Sequence, residues 1–259
     1  MKRGESQKIA IWVLSLAVAI QFIVIAFLVK PRKIIKPAIP VKGKIAIVLD
    51  DWGYNLNNLG ALQEIKYPLT VSILPNLGFS KRVAQEAHRK GFEAILHLPM
   101  EPYEKYRLER NTIKVSMSEQ EIKNILVNDL ESMPYLEGVS NHMGSRATAD
   151  ARTIEIILKE LKKRRLYFLD SFVVAQSVCF DIAQKTHTGY ARRDIFLDNS
   201  LDQDYIKAQL IKLKNRASVY GSAIGIGHDR KATLEVLAQE MPRLAKEGYK
   251  FVFVSELAK

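Results

Sequence analysis

The sequence predicts an α/β fold: a distorted β/α barrel of about seven strands, preceded by one N-terminal transmembrane helix. Three observations lead there. From residue 44 onward, short β-branched or aromatic runs alternate with longer stretches of helical period, the pattern of a parallel sheet with helices packed outside it. Seven or eight such units over about 210 residues match the size of one barrel, although a doubly wound open sheet would produce the same one-dimensional pattern. Ahead of them stands a 21-residue stretch without a charge, at positions 9–29.

That stretch has only Ser15 and Gln21 as polar residues. At about 1.5 Å per residue it spans a hydrocarbon core of roughly 30 Å. A cleaved signal peptide would show an apolar run of about 7–15 residues and a small-residue cleavage site. Neither fits, so residues 1–8 read as a short flank and 9–29 as an uncleaved signal anchor. Lys2, Arg3 and Lys8 precede it, and Lys30, Arg32, Lys33 and Lys36 follow it. This balance slightly favours a cytoplasmic C-terminal domain, but long domains translocate largely regardless of flanking charge. Residues 30–43, with Pro31, Pro37 and Pro40 among cations, cannot form regular helix and read as a linker. The folded domain then occupies 44–259.

Within it, strands are expected at 44–50, 69–74, 92–97, 138–141, 166–170, 222–227 and 251–254, with a further short one at 195–197. Helices are expected at 80–90, 118–133, 150–164, 201–219 and 231–246, where apolar residues recur three and four apart. Their ends are marked: Ser118 with Glu121 makes a capping box, Asp150 precedes another run, and Gly91 and Gly248 close helices.

A chain of this length buries roughly 70–75% of its unfolded surface, so no metal or disulfide is needed merely to keep it folded. Cys179 is the only cysteine, which excludes an intramolecular disulfide and a cysteine zinc cluster; in its apolar run it reads as buried and inert. Lys and Arg exceed Asp and Glu by 11, and 6 of that excess flanks the apolar segment. An anionic membrane or polymer fits the balance, and with no RNA- or DNA-binding motif no nucleic-acid partner is expected.

In either α/β architecture the chemistry belongs at the carboxyl ends of the strands. The first expected strand ends in Asp50-Asp51, the third in His97, the fourth in His142, the fifth in Asp170 and a late one in His228. His88 and His187 fall elsewhere and read as solvated. Adjacent carboxylates raise each other's pKa unless a cation or hydrogen-bond donors intervene. A divalent metal held by one aspartate, His97 and His142 answers that need and leaves positions open for water and substrate. Acidified water beside a carboxylate that takes its proton is hydrolytic equipment. An Asp-Asp pair is also a common helix cap and a lone strand-end histidine is commonly core; their joint occurrence points to a site. Iron oxygenases also use two histidines and one carboxylate, but their jelly-rolls lack the long helices seen between strands here.

Seven blocks, in order, carry a resemblance: Ile47-Val-Leu-Asp-Asp-Trp-Gly53, Leu69-Thr-Val-Ser-Ile-Leu-Pro75, Leu96-His-Leu-Pro-Met-Glu-Pro102, Asn141-His-Met-Gly-Ser-Arg146, Phe168-Leu-Asp-Ser171, Arg193-Asp-Ile-Phe-Leu-Asp-Asn199 and Ile224-Gly-Ile-Gly-His228. They resemble the divergent polysaccharide deacetylases, an envelope-associated bacterial branch of the NodB-homology carbohydrate esterases. The resemblance implies a NodB-like barrel, a divalent metal that is usually zinc, and hydrolysis of N-acetyl groups on an amino-sugar glycan, peptidoglycan or chitin-like. Together with the apolar segment at 9–29, it implies a single-pass bacterial membrane protein with an extracytoplasmic catalytic domain.

By the same resemblance, Asp50 is the general base and Asp51 a metal ligand. Ordinary members place two histidine ligands four residues apart, whereas this chain has His97 with Glu101 at the second position. His142 is the natural replacement, and Glu101 is then a fourth ligand or an acceptor for an imidazole N–H. His228 corresponds to the histidine that protonates the leaving amine, and Arg146, Asp170 and Asp194 orient the catalytic groups. Trp52, Tyr54, Tyr103 and Tyr106 are candidates to stack on sugar faces. An alternative is a non-catalytic envelope protein that keeps the barrel and binds glycan or a protein partner.

Overall fold

In the computed structural model, residues 3–28 and 40–259 are described, in two units, the second of which begins at Pro40. Residues 1–2 and 29–39, including the end of the expected anchor and most of the expected linker, lie outside the described residues. The first unit is a helix, α1 (Arg3–Leu28). Its segment Gln7–Phe27 has a mean hydropathy of 2.6 and is apolar enough, by length and composition, to cross a membrane. Large apolar side chains stand exposed on all sides of it, Trp12, Leu14, Phe22 and Phe27 among them.

The second unit has nine parallel strands: β1 (Gly43–Trp52), β2 (Thr70–Ile73), β3 (Glu93–Met100), β4 (Leu136–Met143), β5 (Tyr167–Asp170), β6 (Tyr190–Arg192), β7 (Ile195–Phe196), β8 (Ser222–His228) and β9 (Tyr249–Val252). Seven helices run between them: α2 (Leu59–Glu64), α3 (Ser80–Arg89), α4 (Glu119–Glu131), α5 (Ala151–Arg164), α6 (Cys179–Thr186), α7 (Gln203–Tyr220) and α8 (Lys231–Lys246). The expected caps form: Ser118 and Glu121 bond reciprocally, and the Asp150 side chain accepts from the Thr153 N–H. The short α2, α6 and β6 escaped the sequence reading because elements of 6, 8 and 3 residues carry too few periods to register.

The strand order is β6-β5-β4-β3-β2-β1-β8-β7, with β9 sharing the β2 edge of β1 at its amino-terminal half. The sheet is curled into a half-barrel whose two ends belong to one continuous segment. Residues 190–192 pair with β5, residues 195–196 pair with β8, and between them Arg193 N–H donates to Asp170 O while Asp194 N–H donates to Ile224 O.

Alternation decides which side chains enter the interior. On β1, Ile45, Ile47 and Leu49 pack outward with the helices, whereas Ala46 and Val48 join Ile95, Leu169, Ile224 and Ile226 inside. Asp50 is in phase with the inner set. So are His97 with Ile95, His228 with Ile226, and Ser72, Ser140 and His142 against their outward neighbours Val71 and Val139. β1, β3, β4 and β8 run further at their carboxyl ends than the sequence reading placed them, so that His142 and His228, like Asp50 and His97, lie within strands at the carboxyl-end rim.

Candidate metal centre

Asp51 follows Asp50 and in a regular strand would point to the opposite face. Instead its φ is +66°, and the pairing of β1 with β2 slips between Leu49 and Trp52. This bulge turns both aspartates toward one rim, in a left-handed conformation that Asp tolerates better than most residues. The Asp51 Oδ1 atom lies 3.3 Å from His97 Nε2 and 3.1 Å from His142 Nδ1, and the two imidazole nitrogens are 3.1 Å apart. His142 reaches this level because β3 and β4 pair with Pro99 opposite His142, one strand over and two residues beyond His97.

The donor set fits a divalent cation. Two imidazole nitrogens and a carboxylate oxygen each present a lone pair, and lone pairs at about 3 Å repel unless a proton or cation lies between them. Tetrahedral coordination at about 2.1 Å places ligand atoms roughly 3.4 Å apart, close to the observed triangle. The buried Asp51 Oδ1 has no well-aligned hydrogen bond, and neither does the buried Asp50 Oδ1. Burial pushes the Asp51 carboxyl up, but His142 and His97 outweigh it and hold it well below the usual carboxylate range. At Asp50 burial wins: its pKa is raised, despite the opposing influence of His97 and His228.

Asp50 and His228 are in-register partners of β1 and β8. The His228 Nδ1 atom is 2.7 Å from Asp198 Oδ1, while Asp198 Oδ2 accepts from the His228 N–H and the Thr233 hydroxyl. Burial lowers the His228 pKa, and the Asp198 carboxylate more than restores it, leaving it raised. Asp198 is fully buried and its own pKa is lowered, burial being outweighed by His228. Gly227 leaves room for this pair: a Cβ there would stand 2.9 Å from Thr233 Cγ2 and 3.4 Å from Asp198 Oδ2.

Four of the expected site residues sit elsewhere. The Glu101 carboxylate is taken by the Val115 N–H and by Arg146, so it joins neither the cation triangle nor an imidazole N–H. Arg146 is drawn by that pair to the loop after β4, half exposed. Asp170 follows the outward phase of Phe168 and accepts from Phe172 N–H, Ser177 and Tyr190. Asp194 lies opposite Ile224, four residues before His228, and pairs with Arg216. Trp52 is fully buried and offers no face to a sugar, whereas Tyr54, Tyr103 and Tyr106 are exposed.

Two residues outside the expected set are at the site. Asp198, not Asp194, is the carboxylate beside His228; pairing of Ile195 with Gly225 puts 198 level with 228. Arg193, rather than Arg146, is the guanidinium on the inner rim segment: its Nε and Nη2 donate to the carbonyls of Ser171 and Phe172, and burial lowers its pKa against the opposing charges of Asp170, Asp194 and Asp50. It stacks 3.7 Å above the Phe196 ring, whose other neighbour is the His228 imidazole at 6.2 Å.

Residues 47–258 match the family described as divergent polysaccharide deacetylase. An uncharacterized protein of Escherichia coli K12, YibQ, is 36% identical over 76% of this chain, which spans 62% of that relative's length. Among solved structures, an uncharacterized protein of Agrobacterium tumefaciens C58 superposes with a TM-score of 0.78 at 24% identity, covering 83% of this chain and 89% of that one. A CE4 family pseudoenzyme from Bacillus anthracis superposes with a TM-score of 0.50 at 15% identity, covering 85% of this chain and 66% of that one. These two share the fold.

Proposed function

The chain belongs to the divergent polysaccharide deacetylase family, and on that footing we propose that it removes N-acetyl groups from an amino-sugar polymer of the bacterial cell envelope, peptidoglycan or chitin-like. The observation that carries this reading is the convergence on one rim of a metal-ligand triangle and an in-register acid–base pair.

Asp51, His97 and His142 would hold the cation, and two imidazoles with one carboxylate and an open fourth position suit zinc. When bound, it supplies Lewis acidity and an acidified water. Asp50 is the proton acceptor: it is buried and its Oδ1 is uncommitted. The water oxygen adds to the acetyl carbonyl carbon, the C–N bond breaks, and acetate departs while the sugar keeps the nitrogen as an amine. His228 donates the proton to that nitrogen from Nε2, because Asp198 engages Nδ1 and thereby fixes which nitrogen works. The exposed rings of Tyr54, Tyr103 and Tyr106 offer sugar-stacking faces. The apolar helix α1 anchors the chain in the membrane, with the barrel on the extracytoplasmic side where such glycans lie.

The test is acetate release from N-acetylated chitin and peptidoglycan oligomers by the zinc-supplied full chain. Asp50→Asn is expected to lower turnover by about 10²–10⁴-fold, the usual contribution of a general base, while leaving zinc uptake intact. Release undiminished by Asp50→Asn would remove the assigned base, and glycan binding without turnover in the unaltered chain would turn the reading toward a binding protein.

A further inference from the structure

Two buried hydroxyls behind the metal triangle have no part in the reaction just described. Ser72 on β2 and Ser140 on β4 are both fully buried on the inner face of the sheet. Ser140 Oγ lies 2.8 Å from His97 Nδ1, and Ser72 Oγ lies 2.8 Å from Ser140 Oγ. Ser72 in turn bears on the Asp50 carboxyl. Hydroxyls this deep are costly unless every donor and acceptor is used, so the chain of bonds has a direction.

That direction bears on the cation. His97 Nε2 faces Asp51 and His142, and it offers a lone pair there only when the imidazole proton sits on Nδ1. Nδ1–H then donates to Ser140, the Ser140 hydroxyl donates to Ser72, and the Ser72 hydroxyl proton is left on the side of the Asp50 carboxyl, whose pKa Ser72 lowers. Reversing both hydroxyls would make Nδ1 an acceptor and put the proton on Nε2, where it blocks the ligand position.

We propose that Ser140 and Ser72 are positioning residues that act in series to hold His97 in its cation-binding tautomer. The proposal rests on the metal-centre reading and extends it to two residues that touch neither cation nor substrate. It is tested by titrating Co²⁺ into the full chain in detergent and following the visible absorption of the bound ion, which needs no substrate and no turnover. Ser140→Ala is expected to weaken Co²⁺ binding about 10-fold, the lower end of the usual loss when a ligand's hydrogen-bond partner is removed. Ser72→Ala is expected to weaken it less, and to add nothing in the Ser140→Ala background, because the chain is already cut there. A merely structural role would give additive losses that track thermal stability. Folded Ser140→Ala protein with unchanged Co²⁺ affinity, or additive effects of the two substitutions, would overturn the relay. A wild-type chain that takes up no Co²⁺ would instead overturn the metal centre beneath it.

Discussion

Asp129, on α4, is a buried acidic residue away from the metal centre. Its side chain is fully buried, with Oδ1 accepting from Asn76 Nδ2 at 2.7 Å and Oδ2 without a partner among the described residues. Burial pushes its pKa from 3.8 to about 7, against the smaller lowering effect of the Asn76 bond. A carboxyl whose folded pKa lies above its unfolded one binds more protons when folded, so its contribution is fully present below about pH 4 and lost as pH rises through about 7. At 1.36 kcal/mol per unit, the roughly three-unit rise corresponds to about 4 kcal/mol of stability lost between those limits. Asp129→Asn removes the ionisation and keeps the oxygen that accepts from Asn76. It also buries an amide N–H₂ where Oδ2 now stands, which costs about 1–3 kcal/mol if unpaired. The variant is therefore expected to be about 1–3 kcal/mol more stable than the parent at pH 8 and within about 1.5 kcal/mol of it at pH 5, where the parent has lost only about 1.6 kcal/mol. Urea unfolding of the full chain in detergent, followed by the emission of the buried Trp52, measures both. A parent whose stability is flat between pH 5 and 8, or a variant that gains equally at both, would refute the reasoning.

Asp198→Asn removes the charge that raises the His228 pKa, so the alkaline limb of the pH–rate profile for acetate release is expected to move to lower pH; an unmoved limb would separate His228 from the proton donor. Glu101→Gln is expected to leave Zn²⁺ affinity within about twofold of the parent, since loss of a ligand or its direct partner costs about 10–100-fold, and equilibrium dialysis distinguishes the two.

The inner face of the barrel was readable from the sequence because each strand carries its own parity. Ala46 and Val48 fix the phase of Asp50, and Ile95 fixes that of His97, without reference to any other strand. Cross-strand register is a different quantity, and one strand does not contain it. Asp194 and Asp198 share a parity and a block, so nothing within 193–199 separates them. The β7–β8 register does, since Ile195 opposite Gly225 puts Asp198 beside His228 and Asp194 beside Ile224. The same limit accounts for Arg146 and Arg193, which differ in which strand ends they bridge. Asp51 reaches the rim for a reason the sequence pattern does not contain, namely the bulge that reverses its parity.

The displaced ligand follows from the same geometry. In a parallel sheet the carboxyl ends of neighbouring strands lie side by side, so a histidine at the end of β4 reaches the height of one on β3 with no change in backbone course. Glu101 is a clamp. Its carbonyl accepts from the N–H groups of Arg146 and Ala147, and its carboxylate takes Val115 N–H and the Arg146 guanidinium. These bonds fasten the loop after β3 to the segment that immediately follows His142, where Met143 and Gly144 both adopt left-handed φ values of +53° and +87°. A ligand supplied from the end of β4 needs that turn held, because His142 is its last residue but one within the strand. Glu101 thus steadies the backbone that carries His142 to the level of His97 and Asp51.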